Sequence, residues 1–115
     1  MSQDQAPLTT SMFHILLALA DESRHGYGVL REIEERTRGG LRMGTGTLYS
    51  AIRRLEARGL IAKCAARPTC AGDDERRIYY KLTDEGGSAL RAEARRLEEL
   101  VGQARHKQLL PEIRG

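Results

Sequence analysis

Apolar positions along the chain repeat with two different periods. From Leu8 to Ala20, Phe13, Leu16, Leu17 and Ala20 recur three and four apart. That spacing places them on one face of a helix, and Thr9 or Thr10 can cap its start. "DESRHG" reads as a polar turn. "GYGVLREIEERTRGG" predicts a second helix, with Tyr27, Leu30, Ile33 and Thr37 along one face and Gly39-Gly40 as its stop. After the connector "LRM", Thr45 to Arg58 predicts a third helix, with Thr45 as N-cap and Gly59 just beyond its end. The period then becomes two. "LIAKC" and "RRIYYKLT" predict strands on either side of the turn-rich "AARPTCAGDDE". Alternation puts Ile78, Tyr80 and Leu82 on one face, with Tyr80 toward the core. Arg77, Tyr79 and Lys81 fall on the other. Thr83 caps a last helix running to about Gln108.

Three short helices, a hairpin and a long helix match the plan of a winged helix-turn-helix. The expected fold is therefore mainly α with a small β-hairpin, plus a long C-terminal helix. Residues 1–82 form the expected compact unit and residues 83–115 the appended helix and tail. Along that helix Leu90, Ala94, Leu97, Val101 and Ala104 step by four, three, four and three, a heptad seam. Pairing with a second copy would bury it; folding back on the first helix is the alternative.

Charge sharpens the picture more than composition does. The chain has 115 residues, 40% apolar and 30% charged, a balance suited to one globular domain. The net charge is +3. Residues 1–41 carry four basic and six acidic side chains, whereas residues 42–63 carry five basic and one acidic. The positive field is concentrated on the third helix and its immediate flanks. On that helix, at about 100° per residue, Leu48, Ala51, Ile52 and Leu55 make the inner stripe. Gly46, Ser50, Arg53 and Ala57 lie opposite, flanked by Thr47, Arg54 and Arg58. Small residues allow close approach, hydroxyls reach phosphates or base edges, and arginine can pair with guanine. A solvated amphipathic helix fits the same pattern.

In order and spacing, "ILLAL", "HGY", "GTLYSAIRRLEARGLI" and "RRIYYKLTDEG" resemble the PadR family of bacterial transcriptional regulators, over roughly residues 10 to 100. The short C-terminal part is similar to the family's small type, with a single long helix after the wing. Two features depart from the pattern: Gly87 beside Gly86, and a long wing loop with Pro68 and Cys70. The resemblance implies a homodimer that binds a near-palindromic operator on double-stranded DNA, usually as a repressor. The third helix would enter the major groove. Its candidates are Thr47, Tyr49, Ser50, Arg53 and Arg54; Arg76 and Arg77 are the candidates on the wing. It also implies a small apolar or aromatic effector at the dimer interface, walled by Phe13, Leu16, Leu17, Leu97 and Leu100. The same side chains serve equally well as plain dimer core.

Other chemistry finds little support. Cys64 and Cys70 stand six apart, and His14, His25 and His106 are scattered, which is not a metal-ligand spacing. Free thiols are expected, with an oxidation-sensing pair as the alternative. His25 is expected to be a turn residue ahead of the second helix rather than a proton sensor. No nucleophile–base pair, paired carboxylates or phosphate loop is present, so neither an enzyme nor a cofactor is expected. The longest apolar run, Met12 to Ala20, is too short to span a bilayer, and the N-terminus has no signal-peptide pattern. A cytoplasmic protein without membrane partners is the expectation. The competing function is a winged-helix protein-interaction module that does not bind DNA.

Overall fold

A computed structural model describes residues 7–65 and 77–111. The helices are α1 (Thr10–Ala18), α2 (Gly26–Arg36), α3 (Thr45–Ala57) and α4 (Asp84–His106). The strands are β1 (Arg24–His25), β2 (Ile61–Cys64) and β3 (Tyr79–Leu82). They form one antiparallel sheet in the order β1-β3-β2. This is a winged helix-turn-helix with a long helix after it, as expected. The wing is a three-stranded sheet rather than a hairpin, because "RH" in the expected polar turn pairs with β3: Arg24 lies opposite Tyr80 and His25 opposite Tyr79. A two-residue strand is too short to leave a periodic signal.

Each cap is made locally. The Thr9 hydroxyl accepts the Met12 N–H at 3.1 Å, and the Thr83 hydroxyl accepts the Gly86 N–H at 3.0 Å. His25 caps α2 through Nδ1, which accepts the Gly28 N–H at 3.0 Å. At α3 the cap is Gly44 rather than Thr45, and no side chain bonds there. The first N–H groups of that helix therefore have no side-chain cap.

Ile15, Leu16, Val29, Ile33, Leu48, Ile52 and Leu55 form the fully buried centre, where α1, α2 and α3 meet. Val29, not Tyr27, fills the inner face of α2; Tyr27 is 58% exposed. The expected alternation along β3 also fails. Tyr79 and Tyr80 are both buried, because β1 lays the His25 ring edge-on against Tyr79 at 5.2 Å. Ile78 precedes the strand and is exposed.

The two glycines that open α4 differ in kind. A Cβ on Gly86 would overlap the Leu60 carbonyl oxygen and press on Leu82, so helix and wing touch there with no room to spare. A Cβ on Gly87 would meet just the Arg91 guanidinium, at an ordinary 3.5 Å. Beyond this start α4 packs on α1 and β3, and Leu90 joins the chain's own core.

An arginine fastens α2 to α1. Arg36 grips the Glu32 carboxylate at 2.9 Å, donates to the His14 carbonyl at 3.1 Å, and approaches His14 Nδ1 at 3.0 Å. A guanidinium can only donate, so Nδ1 accepts and the ring is neutral. Partial burial, then the Arg36 charge, hold the His14 pKa below its ordinary value, outweighing Glu32.

Stability should respond at both places. Gly86→Ala should cost about 1–3 kcal/mol through backbone overpacking, while Gly87→Ala should stabilise by about 0.5–1 kcal/mol through helix propensity. Urea midpoints of the two variants should move in opposite directions. For His14 the folded state prefers the neutral ring, so its contribution is complete above pH 6.5 and is lost as pH falls through the lowered value. His14→Gln should flatten that part of the stability profile; an unchanged profile would remove His14 as its cause.

Candidate nucleic-acid interface

The inner stripe of α3 decides what its outer face can show. Leu48, Ala51, Ile52 and Leu55 are all buried against α1 and α2. Seated this way, the helix turns Gly46, Thr47, Tyr49, Ser50, Arg53, Arg54 and Ala57 to solvent. All five α3 residues singled out from sequence therefore lie exposed. Among the described residues neither Arg53 nor Arg54 is paired with a carboxylate. Elsewhere Arg24, Arg31, Arg36, Arg42 and Arg96 each hold an acidic partner. The positive charge of α3 is free to act at a distance.

Two grooves border this face. On one side, Thr9, Ser11 and Met12 of α1 face Gly46, Thr47, Ser50 and Arg54. On the other, a cleft between α2, α3 and the wing is lined by His25, Tyr27, Tyr49, Arg77 and Ile78. Tyr49 reaches this cleft over Gly26: any Cβ there would collide with the phenol oxygen. The glycine of "HGY" and the tyrosine of "GTLY" thus fit each other. Tyr80 lies behind them, and burial, with Glu56 and Tyr49 nearby, raises its phenol above its ordinary pKa.

Arg77 stands at the wing base with Nη1 2.8 Å from His25 Nε2. Arg76 and Cys70 lie outside the described residues. Cys64 is a half-buried free thiol. Among the described residues no group of His, Cys, Asp and Glu could hold a metal ion, and no helix is long and apolar enough to cross a membrane.

The remaining sequence candidates are split. Leu16 is sealed inside the core, while Phe13 and Leu17 pack half-buried against it. Leu97, Leu100 and Val101 are exposed along α4, Ala94 likewise, and Ala104 is half-buried. Glu93 is the buried charged residue among those described. Its bond to Arg96 holds its carboxyl below the usual range against the opposing effect of burial.

Sequence reasoning missed Tyr27 and His25 as lining residues of the cleft. Helical periodicity assigned Tyr27 to the inner face, which Val29 occupies instead. The available signal was "HGY" itself, an aromatic one step inside a helix start.

The model of the PadR-like family of transcriptional regulators matches residues 15–92. The chain belongs to this family. It is similar to the transcriptional regulator Rv3488 of Mycobacterium tuberculosis, 38% identical over 88 residues, which are 76% of each chain. A transcriptional regulator from Clostridium thermocellum superposes with a TM-score of 0.69 at 29% identity, over 84% of this chain and 87% of that one. A PadR family transcription regulator from Clostridium difficile has the same fold, with a TM-score of 0.72 at 24% identity, over 87% and 99%. This PadR-like chain is therefore a transcriptional regulator and not an enzyme. Of its signature segments, "HGY" and "GTLY" meet at Gly26 and Tyr49, and "GLI" meets the start of α4 at Leu60 and Gly86.

Proposed function

We propose that the protein is a cytoplasmic, sequence-specific repressor that binds a near-palindromic operator as a homodimer. One observation carries this reading: the outward face of α3, where small residues, hydroxyls and two arginines without carboxylate partners among the described residues stand beside a wing. Such a face suits the major groove. Arg53 and Ser50 reach base edges, while Thr47, Tyr49 and Arg54 meet the backbone. Arg76 and Arg77 extend the contact along the wing. Residues 1–82 act as the DNA-binding unit and residues 83–115 as the dimerisation element.

The dimer forms along α4 through Ala94, Leu97, Val101 and Ala104, with Leu100 beside them. Leu90 contributes from within its own subunit's core, where it supports the seam rather than facing the partner. Two-fold pairing sets the two α3 helices about 34 Å apart, on successive major-groove faces. Release by a small apolar or aromatic effector would work across the same interface, between Phe13 and Leu17 of one copy and Leu97 and Leu100 of the other. Leu16, closed inside the core, takes no part.

Fluorescence anisotropy on an operator selected from random DNA, against a scrambled duplex at several salt concentrations, tests the reading. Arg53→Ala should cost about 1–3 kcal/mol on the operator and relax one position per half-site. Arg54→Ala should weaken both duplexes alike and lower the salt slope by about one. If both variants fold and bind like the parent protein, α3 is not the reader and a protein-interaction module takes its place.

Light scattering should give about twice the 12.8 kDa chain mass. Leu97→Glu should halve it, since the seam would bury an unpaired charge. Leu97 is exposed in a single chain, so helix content should stay unchanged. A monomeric parent protein at micromolar concentration sinks the dimer.

A further inference from the structure

Four charged residues of α4 stand seven positions apart with alternating sign: Asp84, Arg91, Glu98 and Arg105. A seven-residue step keeps them in one stripe along the helix, drifting by about 20° each time. The stripe flanks the seam of Ala94, Leu97 and Val101. Seam and stripe are exposed together, apart from the half-buried Arg105. Among the described residues none of the four holds a partner of opposite charge, whereas Glu93 and Arg96 of the same helix hold each other.

Alternation decides which neighbour the stripe accepts. Beside a parallel copy in register, each residue meets its own kind and all four contacts repel. Beside an antiparallel copy centred between Ala94 and Arg95, Asp84 meets the partner's Arg105 and Arg91 meets the partner's Glu98, and the two-fold axis repeats both. All four contacts then attract. Sliding that copy by one heptad sets Arg91 against the partner's Arg105 and Glu98 against the partner's Glu98, and repulsion returns. The apolar positions agree with the same centre, which brings Ala94 of each copy to the partner's Leu97, small against large.

The chain beyond α4 fits this arrangement too. The Gln108 N–H donates to the Arg105 carbonyl at 2.8 Å and the Leu109 N–H to the Ala104 carbonyl at 2.9 Å, a Schellman turn that holds Leu109 and Leu110 exposed in a fixed place. Arg105 Nε ties the turn to the Pro111 carbonyl at 3.0 Å. An antiparallel partner delivers these leucines to the start of the other α4. There a cleft of about 450 Å³ lies beside Asp84 and Arg91, with Leu19, Ala20 and Leu82 in its wall.

We propose that α4 pairs with α4 of a second copy in this one antiparallel register, fixed by ion pairs of Arg91 with the partner's Glu98 and of Asp84 with the partner's Arg105. The inference rests on the dimer reading and adds orientation, register and choice of partner. Each pair is solvent-exposed and modest; selection comes from four acting together, with repulsion in the neighbouring registers. A related helix with another charge order forfeits these attractions, so the protein selects its own copy.

The test exchanges charges at Arg91 and Glu98. Both are exposed, so Arg91→Glu and Glu98→Arg should leave helix content unchanged. Each alone turns two attractions per dimer into two repulsions and should weaken self-association about tenfold in sedimentation equilibrium. Mixed together, the two variants should form the heterodimer in large excess by native mass spectrometry, because each then meets opposite charge at both places. The double variant Arg91→Glu, Glu98→Arg should self-associate like the parent protein. Added salt should weaken the parent dimer and strengthen that of Arg91→Glu. Variants that mix statistically, or a double variant as weak as either single one, overturn the register. If Leu97→Glu still splits the dimer in that case, the dimer reading stands without it. A parent protein that stays monomeric removes both.

Discussion

The Leu60 carbonyl is the joint on which the rest of the molecule depends. It accepts the Thr83 N–H at 3.1 Å, and the start of α4 lies directly against it at Gly86. Thr83 also donates its hydroxyl to the Gly59 carbonyl at 2.6 Å while capping α4. On the near side, the Leu60 and Gly59 N–H groups close α3 onto the Leu55 and Glu56 carbonyls, the double bond of a Schellman ending. Gly59 takes φ +75° to allow it. Within a few residues, the end of α3, strands β2 and β3 and the beginning of α4 are bonded together. None of these elements can reorient alone without breaking a buried backbone bond.

That joint explains what could be foreseen from the residues. Long periodic segments with a cap residue at one end were legible: α1 from Thr9 or Thr10, α3 up to Gly59, α4 from Thr83. The exposed face of α3 came from the same angles, because a stripe as regular as Leu48, Ala51, Ile52 and Leu55 leaves one orientation. What escaped was tertiary. Two residues, Arg24 and His25, pair with β3 just because the α1–α2 turn brings them there, and that pairing buries Tyr79 against the rule of alternation. Tyr27 and Val29 are two positions apart, and spacing alone could not decide which pointed inward. The clash beneath Gly86 was equally invisible, since it involves a carbonyl far away in sequence.

Electrostatics divides the surface along the same lines. Arg24, Arg31, Arg36 and Arg96 are held by acidic neighbours within four positions, and Arg36 also reaches His14 of α1. Such pairs, largely solvent-screened, contribute little net charge to the field. Arg53 and Arg54 stand on a helix whose one acidic residue, Glu56, acts on Tyr80. The N-terminal N–H groups of α3, uncapped by any side chain at Gly44, add a positive end to the same face. A modest net charge of +3 is thereby converted into a local field.

In the two-copy reading, these constraints limit how an effector could release DNA. Cleft and α3 face lie at one end of the subunit, and the exposed apolar run of α4 lies beyond Glu93. Between them stands the Leu60–Thr83–Gly86 joint, where Gly59 is held by its backbone bond to Glu56 and Gly86 by close contact with the Leu60 carbonyl. Because α1 packs on α4 as well as on α3, a signal arriving at the α4 seam reaches α3 through packed helices rather than through a hinge. It rotates one whole subunit against the other, because a packed interior moves as a body rather than deforming. The spacing between the two α3 helices is then the quantity that changes. Because a duplex offers its major groove at fixed intervals, a small rotation at the seam becomes a mismatch of both half-sites at once.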